Sequence, residues 1–217
     1  MFRLRDVERF NAIRALLTRI PESLPTKGVA EMTLKTLETN NAALFVEYFP
    51  PKTFTGPAAD FQVSWYSRDM YALGEKPLWP PSSGDEATYR LTYLGAFTGP
   101  KAVTLTVLPD GTGQVRMKVL RDSGDDRKGD YNAVASQERV SDFLRHLDRS
   151  HFWDMSTESP HRGHDGADWI LEGVQGGRYH LVARWCPDMQ HTPEDASFAE
   201  LGRVLFDLAA YKLSGCG

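Results

Sequence analysis

The sequence predicts an α+β fold: an antiparallel sheet of about five strands packed by two helices, preceded by a smaller helical and aromatic subdomain. Three features support this prediction. Short alternating segments separated by turn residues fill positions 87–122, a glycine-centred hairpin spans 165–187, and amphipathic segments span 136–148 and 193–213. Because 41% of the 217 residues are hydrophobic and 25% are charged, the composition is typical of a folded protein.

A domain boundary is predicted near residue 80. The stretch 74–86, "GEKPLWPPSSGDE", contains three prolines, two glycines and two serines, a composition typical of connecting segments. The domains are therefore expected to span residues 1–80 and 81–217. The first domain is expected to begin with two helices, the second of them near residues 29–38. The apolar stripe of the first helix consists of Val7, Phe10, Ile13, Leu17 and Ile20.

Two strands are predicted in the first domain. "AALFVEYF", residues 42–49, is largely apolar and ends before two prolines. In "FQVSWYS", residues 61–67, apolar side chains alternate with polar ones, as in a strand with one buried face. The same part of the chain is rich in aromatic residues, a type that is enriched at binding surfaces. As binding residues we expect Phe54, Trp65, Tyr66, Tyr71 and Trp79.

The second domain is predicted to begin with a three-strand meander. "ATYRLTYLGAF", "KAVTLTVLPDG" and "GQVRMKVLRD" are separated by Gly99-Pro100 and Asp110-Gly111, which are turn dipeptides. The stretch 122–130, "DSGDDRKGD", lacks the spacing of a calcium loop and is expected to be a solvated loop. Ser136 is the expected N-cap of the helix that follows.

The last helix is predicted to start at Thr192, which can cap it, and Pro193, which suits the first helical position. Gly215 is the expected end. Before this helix, Gly176-Gly177 predicts a hairpin turn. The predicted opposite pairs are Val174 with Tyr179, Glu172 with Leu181, and Ile170 with Ala183. The other face would then carry Trp169, Leu171, His180, Val182 and Arg184, so both faces are expected to be covered.

Two charged residues of this hairpin require partners if the strands are covered. Glu172 and Arg184 are expected to form a structural ion pair, either with each other or with a neighbouring helix. The large side chains Trp169 and Trp185 are expected to anchor the core, together with Trp153 and Tyr179.

No catalytic residues are predicted. Neither a Walker motif nor a nucleophile elbow is present, and no cofactor is expected. One metal-binding alternative remains, because two histidines and a carboxylate can hold a divalent ion. Its ligands would be His161, His164 and Asp165, with His180 approaching from the hairpin. This alternative corresponds to a metal-dependent hydrolase, whereas the preferred interpretation is a flexible polar loop.

The charge and the cysteines limit the partners and the compartment. A net charge of −4 offers no broad cationic field for nucleic acid. Cys186 and Cys216 are expected to be free thiols of a reducing compartment, with one disulfide as the alternative. No stretch approaches the roughly 20 apolar residues of a membrane span, and the charged N-terminus does not resemble a signal peptide. A cytoplasmic location is expected, or the envelope if a leader precedes residue 1.

The hairpin segment and the ending "KLSG" resemble a segment of uncharacterised bacterial proteins. The shared pattern is DGxxWxxEGxxxGxYHxxxRWxP, residues 165–187. The layout of meander, helix and hairpin is also similar to small domains of bacterial envelope and immunity proteins. The resemblance implies a bacterial source and no established activity. The expected function is a non-enzymatic binding protein that occludes a protein partner, such as a toxin or effector. An envelope or scaffold domain is the other alternative.

Overall fold

A computed structural model describes residues 46–81, 84, 86–120, 129–163, 165–189, 191–213 and 215–216. In this part of the chain the strands are β1 (Thr88–Gly95), β2 (Lys101–Val107), β3 (Gly113–Val119), β4 (Gly129–Ala135), β5 (Ala167–Gln175) and β6 (Arg178–Trp185). The α-helices are α1 (Ala59–Ala72), α2 (Gln137–Arg149) and α3 (Pro193–Leu208). The strands form one antiparallel sheet in the order β4-β3-β2-β1-β5-β6. The α+β class is therefore confirmed.

The sheet has six strands rather than the five that were expected. The additional strand is β4, which pairs with β3 at the edge of the sheet. Sequence patterning missed this strand because most of its side chains are exposed, so it has no continuous apolar face. Most of the predicted solvated loop at 122–130 lies outside the described residues.

The strand predicted at residues 61–67 is wrong, because these residues belong to helix α1. Phe61 and Val63 are exposed, whereas the buried residues of the helix recur at helical spacing. These buried residues are Gln62, Tyr66, Ser67 and Met70. Residues 46–49 of the predicted strand 42–49 form no strand either, and the rest of that segment lies outside the described residues.

The caps of α2 and α3 follow the prediction. The hydroxyl of Ser136 accepts a bond from the Arg139 amide at 3.4 Å, and that of Thr192 accepts one from the Asp195 amide at 3.0 Å. Helix α3 ends at Leu208 rather than near Gly215. No helix in the described part of the chain is long and apolar enough to cross a membrane.

The hairpin of β5 and β6 has the predicted register. Val174 lies opposite Tyr179, Glu172 opposite Leu181, and Ile170 opposite Ala183. Gly176 and Gly177 form the turn with φ values of 56° and 73°, a backbone conformation in which glycine is not strained. All residues of β5 except the last are buried, so this strand is covered on both faces, as expected.

The two faces of the sheet differ in what covers them. Helices α2 and α3 pack on one face, which we call the helix face, around Tyr89, Leu91 and Trp169. Residues from the segment 46–81 pack on the opposite face of β1, β5 and β6 around Ile170. The boundary predicted near residue 80 remains a prediction, and the helices expected before residue 39 lie outside the described residues.

A disulfide joins Cys186 to Cys216, with 5.6 Å between their Cα atoms. The prediction of two free thiols is therefore wrong. Two cysteines in a sequence permit a bridge without requiring one, since only the fold decides whether they meet. Here the end of β6 and the segment after α3 bring them together. The bridge ties the C-terminal segment to the hairpin.

Candidate functional site

Polar side chains cross the opposite face of the sheet in two rows. Their order follows from the register of β1 to β4. One row consists of Thr88, Thr106, Gln114 and Val134, and the next consists of Arg90, Thr104, Arg116 and Asn132. Apart from Val134, every member is polar or charged, in contrast to the apolar helix face of the same strands. This half of the sheet therefore presents many hydrogen-bonding groups on rigid strands.

These rows, apart from the buried Arg90, form the floor of a groove of about 780 Å³. We call it the polar groove, and its lining consists of Leu78, Thr88, Thr104, Thr106, Gln114, Val115, Arg116, Asn132, Ala133 and Val134. Its volume lies within the usual range for ligand sites, roughly 300 to 1,000 Å³. Among the described lining residues, Leu78, Val115 and Val134 are the larger apolar ones, and Arg116 is the only charged one. The groove therefore offers polar and apolar surface in similar amounts.

A buried ion pair lies under the same face. The guanidinium of Arg90 donates to Glu172 through Nε at 2.8 Å and through Nη2 at 2.5 Å, both to Oε2. The Tyr179 hydroxyl donates to the other carboxylate oxygen at 3.0 Å. Both ionic side chains are at most 1% exposed. Buried charges require such pairing, because isolated ones are very costly to remove from water.

Glu75 extends this pair towards the polar groove. Its carboxylate accepts from Arg90 Nη1 at 3.2 Å and from Arg116 Nη2 at 3.1 Å, and it lies 3.4 Å from Lys118 Nζ. The side chain of Glu75 is 1% exposed, whereas that of Arg116 is 43% exposed. The network therefore runs from the buried hairpin to a guanidinium on the groove floor.

Burial and charge pairing shift the pKa values of the ionic residues in this network in opposite directions. Burial raises the pKa of Glu172 above its usual value, although the charge of Arg90 counteracts the effect. Burial would lower the pKa of Arg90, but Glu172 and Glu75 outweigh it and the pKa is raised. Burial and the neighbouring Glu172 also raise the pKa of Tyr179, which keeps its hydroxyl protonated as a donor.

Counted as ions, the network carries one excess positive charge. Arg90, Arg116 and Lys118 supply three positive charges against the two negative charges of Glu75 and Glu172. Arg90 is neutralised mainly by Glu172, so Glu75 is shared by the remaining two cations. Arg116 is the more exposed of these two. Arg116 therefore presents a partly exposed positive charge in the polar groove.

Glu172 and Arg184 do not pair with each other, because they lie on opposite faces of the hairpin. Each has its own partners, and those of Arg184 come from α3. Arg184 Nη2 donates to Glu194, and its Nε lies 3.3 Å from Asp195 Oδ1. The expected neutralisation by a neighbouring helix therefore holds for Arg184, and strand β1 supplies the partner of Glu172.

Two residues of the metal-binding alternative, His180 and Asp165, lie far apart. His180 lies near the hairpin turn, where its ring packs 5.1 Å from that of Phe152. Asp165 lies near the far end of β6, since its carbonyl accepts from the Trp185 indole at 2.8 Å. Residues 180 and 185 are separated by roughly 17 Å of strand at the usual rise per residue. His180 therefore cannot join Asp165.

Of the other two candidate ligands, only His161 lies within the described residues. His161 stacks on His191 with 5.1 Å between ring centroids, and His164 lies outside the described residues. Among the described residues, no group of three or more His, Cys, Asp or Glu side chains is placed to hold a metal ion.

Two of the five predicted aromatic binding residues are in the core. Phe54 is 4% exposed and Tyr66 is fully buried, so neither contributes to an accessible surface. Tyr71 is 37% exposed, and Trp65 and Trp79 are partly exposed. These buried aromatics belong instead to the cluster that packs around Ile170, where the rings of Phe54 and Tyr66 are 5.3 Å apart.

The groove residues were not predicted as a site from the sequence. Their signal was the repeated polar position in three neighbouring strands, with a polar or charged residue at every second position of "TYRLT", "TLT" and "QVRMK". This pattern is also that of any solvent-facing strand. The comparisons add no assignment: no protein-family model and no curated protein matches this chain.

Proposed function

We propose that this chain is a binding protein that occludes a protein partner, as an inhibitor or immunity protein of a bacterial toxin or effector does. The contact surface in this proposal is the polar groove together with strand β4. The observation that carries it is the uneven cover of the sheet by the described residues: the segment 46–81 packs on the hairpin side, whereas among those residues only Leu78 joins the strands in lining the polar groove over β2 to β4. A groove built on strands is preorganised for binding.

The edge strand next to the groove supports the same surface. On β4, Tyr131 is 48% exposed and Val134 is 75% exposed. The other edge, β6, is covered, because the Ala183 amide donates to the Thr157 carbonyl at 2.7 Å. Strand β4 has no comparable cover among the described residues. Open edges with apolar side chains favour pairing with another chain.

The disulfide indicates the kind of compartment in which the chain would bind such a partner. Bridges of this kind persist in oxidising compartments and are rare in the cytosol. We therefore place the proposed function in an oxidising compartment, such as the bacterial envelope, rather than in the cytoplasm.

A photo-crosslinking amino acid at position 134 tests the proposal in the native host. The matched control carries it at position 97, since Phe97 is 78% exposed but lies in the β1–β2 connection. We expect one protein to be joined to the first variant and not to the second. The purified partner should then bind the unmodified chain with 1:1 stoichiometry, with its own activity suppressed in proportion.

A substitution completes the test. Val134→Asp places a charge on the proposed surface and should weaken binding of that partner about tenfold or more, whereas Phe97→Asp should leave it unchanged. Equal crosslinking from both positions, or a partner whose affinity is insensitive to Val134→Asp, would overturn the proposal.

A further inference from the structure

We propose that the polar groove recognises a carboxylate, and that the partner supplies it as an aspartate or glutamate side chain on an extended segment lying along the groove. This inference rests on the proposed function for the identity of the ligand as a protein segment. The recognition chemistry itself follows from the groove, through the charge of Arg116, the buried hydroxyl of Thr104 and the surrounding amides and hydroxyls.

The first argument is the incomplete neutralisation of Arg116. Only its Nη2 is bound, to the Glu75 carboxylate, at 3.4 Å from Oε1 and 3.1 Å from Oε2. Nη1 has no hydrogen-bond partner among the described residues, and the side chain remains 43% exposed. A planar guanidinium has five donors and can bind a second carboxylate while retaining the first. Arg116 is thus fixed in position and has unused donors.

The second argument is an unsatisfied hydroxyl beside Arg116. Thr104 lies directly opposite Arg116 on the neighbouring strand and is 9% exposed. Its Oγ1 is buried and has no hydrogen-bond partner in the part of the chain that the structure describes. Buried hydroxyls without partners are uncommon and costly. Side chains that face each other across a strand pair are within contact distance, so a carboxylate on Arg116 would also be within reach of this donor.

The third argument concerns the rest of the lining. Gln114 and Asn132 carry amides, and Thr88 and Thr106 carry hydroxyls, so the groove offers donors and acceptors to a peptide backbone. Leu78 contributes an apolar wall for a neighbouring side chain. An extended segment whose acidic residues alternate with apolar ones matches this arrangement, because its side chains point alternately to opposite sides. A basic segment would place like charge on Arg116.

The test uses two blocked pentapeptides, acetyl-Val-Glu-Val-Glu-Val-amide and its counterpart with glutamine in place of glutamate. Isothermal titration gives the affinities, and two-dimensional amide spectra of the labelled chain locate the site. We expect the glutamate peptide to bind about tenfold or more tightly than the glutamine peptide. Its addition should shift the amide signals of β2 and β3 around Thr104 and Arg116. Sodium acetate should compete only weakly, because it lacks the backbone contacts.

Variants separate recognition from folding. Arg116→Gln should abolish the preference for the glutamate peptide. Thr104→Val keeps a side chain of similar shape but removes the hydroxyl, so it should weaken binding of the glutamate peptide about fivefold and hardly change binding of the glutamine peptide. The matched control is Arg178→Gln, since Arg178 is an exposed arginine on the helix face of β6 and contacts the Trp153 ring. The urea midpoint of each variant shows that the fold is retained.

Three results would overturn the inference: equal affinity for the two peptides, a glutamate preference that survives Arg116→Gln, or no binding of either peptide. Acetate binding as tightly as the peptide would also overturn it, because the site would then take small carboxylates rather than a segment. Its failure and that of the proposed function are distinguishable. The peptides require no partner, whereas crosslinking at position 134 requires no particular peptide chemistry.

Discussion

Removing the disulfide is expected to lower the free energy of unfolding substantially. The bridge joins Cys186 to Cys216 across a sequence separation of 30 residues. Closing a loop of that length removes entropy from the unfolded chain worth about 3.6 kcal/mol at 25 °C. Since folded proteins are stable by only about 5 to 15 kcal/mol, Cys216→Ser should shift the unfolding midpoint markedly.

Urea unfolding followed by tryptophan fluorescence measures this effect. The oxidised protein, the same protein in dithiothreitol, and Cys216→Ser in both conditions form a complete cycle. Reduction should destabilise the unmodified chain about as much as the substitution does, and the reductant should have no further effect on the variant. If all four midpoints coincided, or if mass spectrometry found two thiols in the purified protein, the loop-closure argument would be refuted.

The remaining predictions concern the core and its charges. Trp169→Ala should cost about 3 to 5 kcal/mol in urea melts because Trp169 is 1% exposed, whereas Trp185→Ala should cost less because Trp185 is only partly buried. Glu172→Gln should lower the free energy of unfolding by about 3 to 5 kcal/mol, since it leaves Arg90 with less compensating charge. The double variant Glu172→Gln/Arg90→Met should recover part of that loss. Burial lowers the pKa of His180, so the stability it contributes is present above the usual value of 6.5 and is lost as pH falls through the lowered pKa. Melts at decreasing pH should show that loss in the unmodified chain and much less of it in His180→Phe.

The hairpin could be predicted in detail because its determinants are local. Gly176-Gly177 specify the turn, and a two-residue turn fixes which residues lie opposite each other. The same is true of the helix starts at Ser136 and Thr192, where one hydroxyl caps one amide. In each case the information lies within a few residues of the feature.

Helix α1 could not be recognised because its buried face is partly polar. Gln62 is 2% exposed, and its amide donates to Glu158 Oε1 at 3.2 Å, a residue far along the chain. Tyr66 is buried in the same way, with its hydroxyl donating to Asp168 at 2.8 Å. The apolar residues Phe61 and Val63 are exposed and stand two positions apart. The apolar residues therefore recur at the spacing of a strand rather than at that of a helix. Contacts with residues distant in sequence therefore determine which side chains of α1 are buried.

The charged network was equally hidden. Within β1, Arg90 alternates with apolar residues and has the pattern of a solvent-facing side chain. It is 1% exposed because residues 46–81 cover that part of the sheet, and Glu75, which pairs with it, belongs to that covering segment. No periodicity within one strand indicates that another segment will cover its polar face. The site therefore became visible only from the tertiary structure.

The network also determines the shape of the groove beside it. Arg90 Nη1 donates to the Lys76 carbonyl at 2.6 Å, and Lys118 Nζ donates to the Gly74 carbonyl at 2.5 Å. These bonds, together with Glu75, hold the segment that carries Leu78 against the sheet. Because Leu78 forms one wall of the groove, the charges that orient Arg116 also fix the width of the site. Substitutions of Glu75 should consequently alter both the charge and the geometry of the groove, which makes Arg116 and Thr104 the more informative positions for testing recognition.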